Sequence, residues 1–137
     1  GWSDIWEAWG GVPGVETMLP LMLSEGVSKG RITIERLCQV LSTSPAKIFG
    51  LYPRKGAVAI GSDADLVLVD PKLEKKVKGD DLHSKCGWSP YEGVIFKGWP
   101  VLTMVRGEVI MEDGQVIGKP GHGRFVPQTL KPTREEA

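Results

Sequence analysis

The side chains able to do chemistry are few and dispersed. His83 and Cys86 share one segment, with Asp80 and Asp81 just ahead of them, a mixture of donors that suits a metal ion. No second His stands near, and no Cys-x-x-Cys occurs there, so the spacing falls short of a zinc motif. His122 stands alone between Gly121 and Gly123 and reads as an exposed loop residue rather than a ligand. Gly118, Gly121 and Gly123 lack Gly-x-Gly-x-x-Gly spacing, and neither a P-loop nor a Ser/His/Asp arrangement stands out. The remaining candidate is main chain. Gly10-Gly11-Val12-Pro13-Gly14 exposes bare N–H and C=O groups that can approach a ligand closely, or else it is a plain connection. Composition leaves both readings open.

The elements that must position these groups change character across residues 50–70. Before that stretch the apolar pattern is helical. Trp2, Trp6 and Trp9 form a stripe at spacings of four and three, with Asp4 and Glu7 off it, and such rings should cover another surface. Val15, Met18, Leu19 and Met22 predict a helix over 15–25 that starts near Pro20 and ends at Gly26 or Gly30. Thr33 is a good N-cap for a second helix with Glu35 in its first turn and Ile34, Leu37, Val40 and Leu41 as its buried face. Ser44-Pro45 opens a short third helix to Phe49, which Gly50 stops and Pro53 keeps from resuming.

Beyond Gly50 the pattern is that of short strands. Val58-Ala59-Ile60 reads as one strand, Gly61-Ser62-Asp63 as a turn, and Leu66-Val67-Leu68-Val69 as a second strand that Pro71 ends. The second is apolar at every position, so both of its faces should be covered. A strand-like piece at 73–77 and a long irregular loop at 82–93 follow. Then come four short runs at 94–96, 101–105, 108–111 and 115–117, with Arg106-Gly107 and Asp113-Gly114 as turns of an antiparallel meander.

Composition narrows the function classes. A chain of 137 residues that is 41% hydrophobic can bury a core. Lys+Arg and Asp+Glu both number 17, which argues against a nucleic-acid or anionic-membrane partner. No apolar run is long enough to span a membrane and no signal peptide is visible. Cys38 in a helical pattern and Cys86 in a loop suit a reducing cytoplasm better than a disulfide framework. The first residue is Gly1 rather than Met, so a trimmed start or a piece of something longer is expected.

Lys55-Gly56 followed by Gly61-Ser62-Asp63-Ala64-Asp65-Leu66-Val67 resembles the post-barrel segment of amidohydrolase-superfamily enzymes. The longer string from Ala46 to Gly56 is similar to the cyclic-amide hydrolases: hydantoinase, dihydropyrimidinase, allantoinase and dihydroorotase. Trp9-Gly10-Gly11 looks like the allantoinase form, since hydantoinases often carry Asn where Gly10 stands. Asp80-Asp81-Leu82 with Ser89-Pro90-Tyr91 and Gly93 resembles an allantoinase or dihydroorotase tail. The segment from Gly118 to Phe125 resembles a hydantoinase tail, so the ring is left unchosen.

The resemblance runs from about Trp2 to Val126 and matches only the C-terminal third of such an enzyme. It implies an α+β fold: helices from the end of a (β/α)8 barrel over residues 1–52, an antiparallel β-sandwich portion over 53–126, and a polar tail over 127–137. It implies that main-chain groups of Gly10, Gly11, Val12, Pro13 and Gly14 contact the ring amide of the substrate. It implies two divalent metal ions, zinc in type, for the parent enzyme. Their ligands would be a His-x-His pair, a bridging modified Lys, two further His and an Asp. This sequence has no His-x-His, so no catalytic or metal-ligating residue is assigned within it and the segment alone should be inactive. The expected partners are the missing N-terminal barrel portion, a small cyclic-amide substrate and further copies in a homo-oligomer. The contrasting reading is a non-catalytic binding or assembly module that keeps the sandwich.

Overall fold

Helix ends follow the local chemistry of the chain. In the computed structural model, which describes residues 3–7 and 10–128, helix α1 spans Val15–Leu21 and continues as a wider π-type turn over Met22–Ser28. Pro20 lies inside α1 and is buried, rather than marking its start. The end comes at Gly30, where the Arg31 N–H reaches back to the Gly26 carbonyl at 2.8 Å. Thr33 caps α2 (Ile34–Cys38) as expected, its hydroxyl accepting from the Arg36 N–H at 3.2 Å. Ser44-Pro45 does not open a separate helix. A π-type turn over Gln39–Thr43 joins α2 directly to α3 (Ser44–Ile48), and Thr43 before it is already helical. Gly50, at φ 65°, ends the run, with the Leu51 N–H bonded to the Ala46 carbonyl at 2.7 Å.

Residues 58–60 are not a strand. They belong to a turn-rich stretch in which Val58 and Ile60 are exposed. Two long strands replace the expected short ones: β1 spans Leu66–Lys76 and β2 spans Ile95–Val105, followed by β3 (Glu108–Glu112) and β4 (Gln115–Val116). The sheet order is β1-β2-β3-β4. Val77 bonds to Val94 and Ala64 to Gly107, so β1 and β2 run antiparallel, as do β2–β3 and β3–β4. Pro71 fails to end β1 because β1 is an edge strand, and one side of its backbone needs no partner. Pro100 survives in β2 for a related reason: the β3 ladder begins only at Leu102. The Asp113-Gly114 turn is as expected, with both residues at positive φ. β1 is not covered on both faces. The adjacent Val67 and Leu68, which point to opposite faces, are both exposed.

Two contact units divide the chain: Gly1–Arg31 with Asp70–Trp99, and Ile32–Val69 with Pro100–Ala137. In the first, Val77, Phe96 and Trp99 form the core, with Leu21, Leu73, Leu82 and Tyr91 packed around them. Tyr91 meets Phe96 edge to face at 5.5 Å, and the Trp99 indole N–H donates to the Phe96 carbonyl at 2.9 Å. Gly98 lets the turn after α1 approach β2, since a Cβ there would lie 2.8 Å from that of Leu23. The buried face of this helix is Thr17, Pro20, Leu23 and Ser24, not the expected stripe, of which Val15 and Met18 are exposed. In the second unit Leu37 and Ala46 are buried, whereas Ile34 is exposed and Val40 and Leu41 are half-buried. Trp6 lies in a single 3-10 turn (Ile5–Glu7) and is exposed; Trp2 and Trp9, like residues 129–137 of the polar tail, lie outside the described residues.

Candidate functional site

The Gly10–Gly14 segment carries no regular structure and ends as the N-cap of α1. Around Gly10, Gly11 and Gly14 an added Cβ would meet nothing within 4 Å, and Val12 is exposed. The segment therefore presents open main chain. The Thr17 hydroxyl braces its end, donating to the Gly14 carbonyl at 3.3 Å.

His83 is taken up by a residue the sequence did not single out. Glu16, in the first turn of α1, accepts from the His83 main-chain N–H at 2.8 Å and from its ring Nδ1 at 3.0 Å. Cys86 and the Asp pair do not join them. Cys86 is exposed beside the Ser84 hydroxyl at 2.8 Å, a contact that lowers its thiol pKa from the ordinary cysteine value. His122 is not a free loop residue either: its side chain is 22% exposed, its Nδ1 lies 3.2 Å from Glu108 and its Nε2 lies 3.2 Å from the Val105 carbonyl. Among the described residues no three His, Cys, Asp or Glu side chains converge into a group that could hold a metal ion.

The family-like string around Gly56 builds a different cluster. Lys55 bonds to both Asp65 and, at 2.9 Å, Asp63, while Arg54 reaches Asp63 at 3.0 Å and the Arg106 main-chain N–H donates to Asp65 at 2.8 Å. Hydrogen bonding from Lys55 holds Asp63 below the usual carboxylate range. Burial pushes Asp65 the other way, but Lys55 and the Arg106 N–H outweigh it and its pKa is lowered too. Burial likewise opposes the Lys55 ammonium, and the two carboxylates overcome it, raising its pKa. The lowered carboxylates stabilise the fold fully above about 3.8, and that contribution is lost as pH falls through their lower folded values. The raised Lys55 stabilises fully below about 10.5 and loses its contribution as pH rises beyond that. Asp65→Asn should therefore lower the urea midpoint by a constant amount between pH 5 and 9. The gap to wild type should begin to narrow as pH falls below ~3.8, toward the lower folded value of Asp65; a gap that widens as the carboxylate is protonated would show the cluster is not acting through charge.

Comparison with known proteins decides what this arrangement belongs to. The model of the amidohydrolase family matches residues 10–110. The chain belongs to the amidohydrolase family. It is 48% identical over 126 residues to an L-hydantoinase of Paenarthrobacter aurescens, covering 92% of this chain and 28% of that protein. It is 43% identical over 116 residues to a D-hydantoinase of Geobacillus stearothermophilus, covering 85% and 25%. Among solved structures, the L-hydantoinase (dihydropyrimidinase) from Arthrobacter aurescens superposes with a TM-score of 0.88 at 47% identity, over 93% of this chain and 28% of that one. The D-hydantoinase (dihydropyrimidinase) from Thermus sp. gives 0.87 at 38% identity, over 91% and 27%. The chain thus spans about 28% of the length of the L-hydantoinase it matches.

Family membership makes the donor set meaningful. Amidohydrolases are generally metal-dependent, yet the donors of this segment do not fit a metal pair: His83 and His122 each face a carboxylate of their own and gather no third ligand. No helix among the described residues is long and apolar enough to cross a membrane.

Proposed function

We infer that this chain is the C-terminal portion of a metal-dependent cyclic amidohydrolase that hydrolyses a ring amide C–N bond. What supports it is the 48% identity over 126 residues to an L-hydantoinase, with a fold that superposes on a related structure at a TM-score of 0.88. Hydantoins and dihydropyrimidines are the favoured rings, because relatives in both comparisons carry hydantoinase or dihydropyrimidinase names; allantoin and dihydroorotate are the competing substrates. On this reading residues 1–52 close the barrel, 53–126 contribute to a sandwich, and 127–137 form a tail. The two metal ions, zinc in type, are held by the N-terminal portion of a cytoplasmic homo-oligomer. Residues 10–14 supply main-chain N–H and C=O groups to the ring amide, orienting the carbonyl for attack.

The test compares the segment with the full-length enzyme. The isolated segment should retain no stoichiometric zinc after dialysis and open no hydantoin. The enzyme read from the upstream frame should open hydantoin and dihydrouracil in preference to allantoin and dihydroorotate. One or two metal ions retained by the segment together with turnover would overturn its assignment as an inactive portion. A full-length enzyme that opens none of the four rings would overturn the activity.

A further inference from the structure

A loop that works through its backbone must be held in place by something other than its own side chains, because main-chain donors act only when their geometry is set in advance. Gly10–Gly14 has little of its own for this: an added Cβ at its glycines would meet nothing within 4 Å and Val12 is exposed. Two residues past Gly14, the Glu16 carboxylate engages both the main-chain N–H and the ring Nδ1 of His83, at 2.8 and 3.0 Å. A contact through both oxygens fixes the carboxylate in direction as well as distance. With an ionised carboxylate as acceptor, Nδ1 is the nitrogen that carries the hydrogen. His83 is itself well seated. It follows Leu82, which packs against the core of Val77, Phe96 and Trp99 and whose N–H bonds to the Gly79 carbonyl at 3.2 Å; the Gly79 N–H in turn donates to Glu92 at 2.7 Å. The chain of contacts runs from the core through Leu82 and His83 to Glu16 in the first turn of α1, and in that same turn the Thr17 hydroxyl donates to the Gly14 carbonyl at 3.3 Å.

We propose that Glu16 and His83 are positioning residues that hold the Gly10–Gly14 backbone in its ligand-binding geometry. The proposal rests on the reading of that segment as a substrate loop. The pair is half-exposed, at 40% and 50%, so its worth to global stability is small. Its effect belongs in substrate binding, where a loop left loose must be ordered by the substrate itself.

The test uses the metal-loaded full-length enzyme and a hydantoin substrate. Glu16→Ala should raise KM on the order of 10- to 100-fold with kcat little changed, and with melting temperature and metal content close to wild type. His83→Ala, which keeps the main-chain N–H contact and loses the ring contact, should raise KM in the same direction by less, and His83→Asn should restore much of that loss, because its amide N–H can reach the carboxylate. The double variant Glu16→Ala with His83→Ala should be no worse than Glu16→Ala alone. If Glu16→Ala does not fold, the His83→Ala and His83→Asn pair carries the same comparison. Wild-type KM in both alanine variants, beside an impaired Gly11→Val enzyme, overturns the positioning role and leaves the loop in the site. Wild-type kinetics in Gly11→Val removes the loop and the proposal together. A loss seen in kcat and melting temperature but not in KM reduces the pair to a scaffold contact.

Discussion

In the full-length enzyme, Gly11→Val is expected to lower kcat/KM by roughly 10²- to 10³-fold if, as proposed, residues 10–14 give the ring amide a main-chain contact worth ~3–4 kcal/mol in the transition state. The position is suited to a clean reading. Gly11 is not at positive φ, and a Cβ there would meet nothing within 4 Å, so a side chain can start at this position without backbone strain or a clash at its first carbon. Its isopropyl group would instead occupy space that the proposed substrate needs. Melting temperature and metal content should therefore stay near wild type while KM rises or kcat falls. Wild-type kinetics would take residues 10–14 out of the site.

Expressed alone, the chain is expected to self-associate. Among the described residues six hydrophobic side chains are buried, whereas eighteen large ones are exposed. Val15 and Ile5 in one unit, and Val58, Ile60 and Phe125 in the other, are at least three-quarters exposed. Burying one large apolar side chain is worth about 1.5–3 kcal/mol, so several in contact exceed what a soluble monomer tolerates. The sheet adds an edge. Among the described residues β1 has a neighbour on one side only, and Pro71, Lys72, Lys75 and Lys76 guard its second half, leaving Leu66 to Asp70 unguarded. On the proposed reading the missing N-terminal portion covers these surfaces. Light scattering should find dimers or larger species that disperse when that portion is supplied. A monodisperse 14.9 kDa monomer with a cooperative melt at high concentration would refute the missing cover.

The sequence by itself settled whatever depends on a few neighbouring residues. Thr33 caps because its hydroxyl reaches an amide three residues on, Gly50 stops a helix because it alone there accepts positive φ, and Asp113-Gly114 turns a hairpin for the same reason. The string from Ala46 to Gly56 and the Gly61-to-Val67 motif likewise announced the family, being contiguous. Tertiary structure decided the rest. Pro71 and Pro100 look like strand ends until the sheet shows that each stands where a side of the backbone lacks a partner. The apolar stripe at Val15 and Met18 looks like the buried face until Leu23 is found against Gly98, which turns Thr17 and Pro20 inward. The contact that gives the candidate loop an anchor joins Glu16 to His83 across 67 residues, and Asp65 finds the Arg106 N–H across 41. Neither residue pair has a periodicity or motif to mark it. Such contacts arise only when separate segments are brought together by the burial of Val77, Phe96 and Trp99 in one unit and of Leu37 and Ala46 in the other.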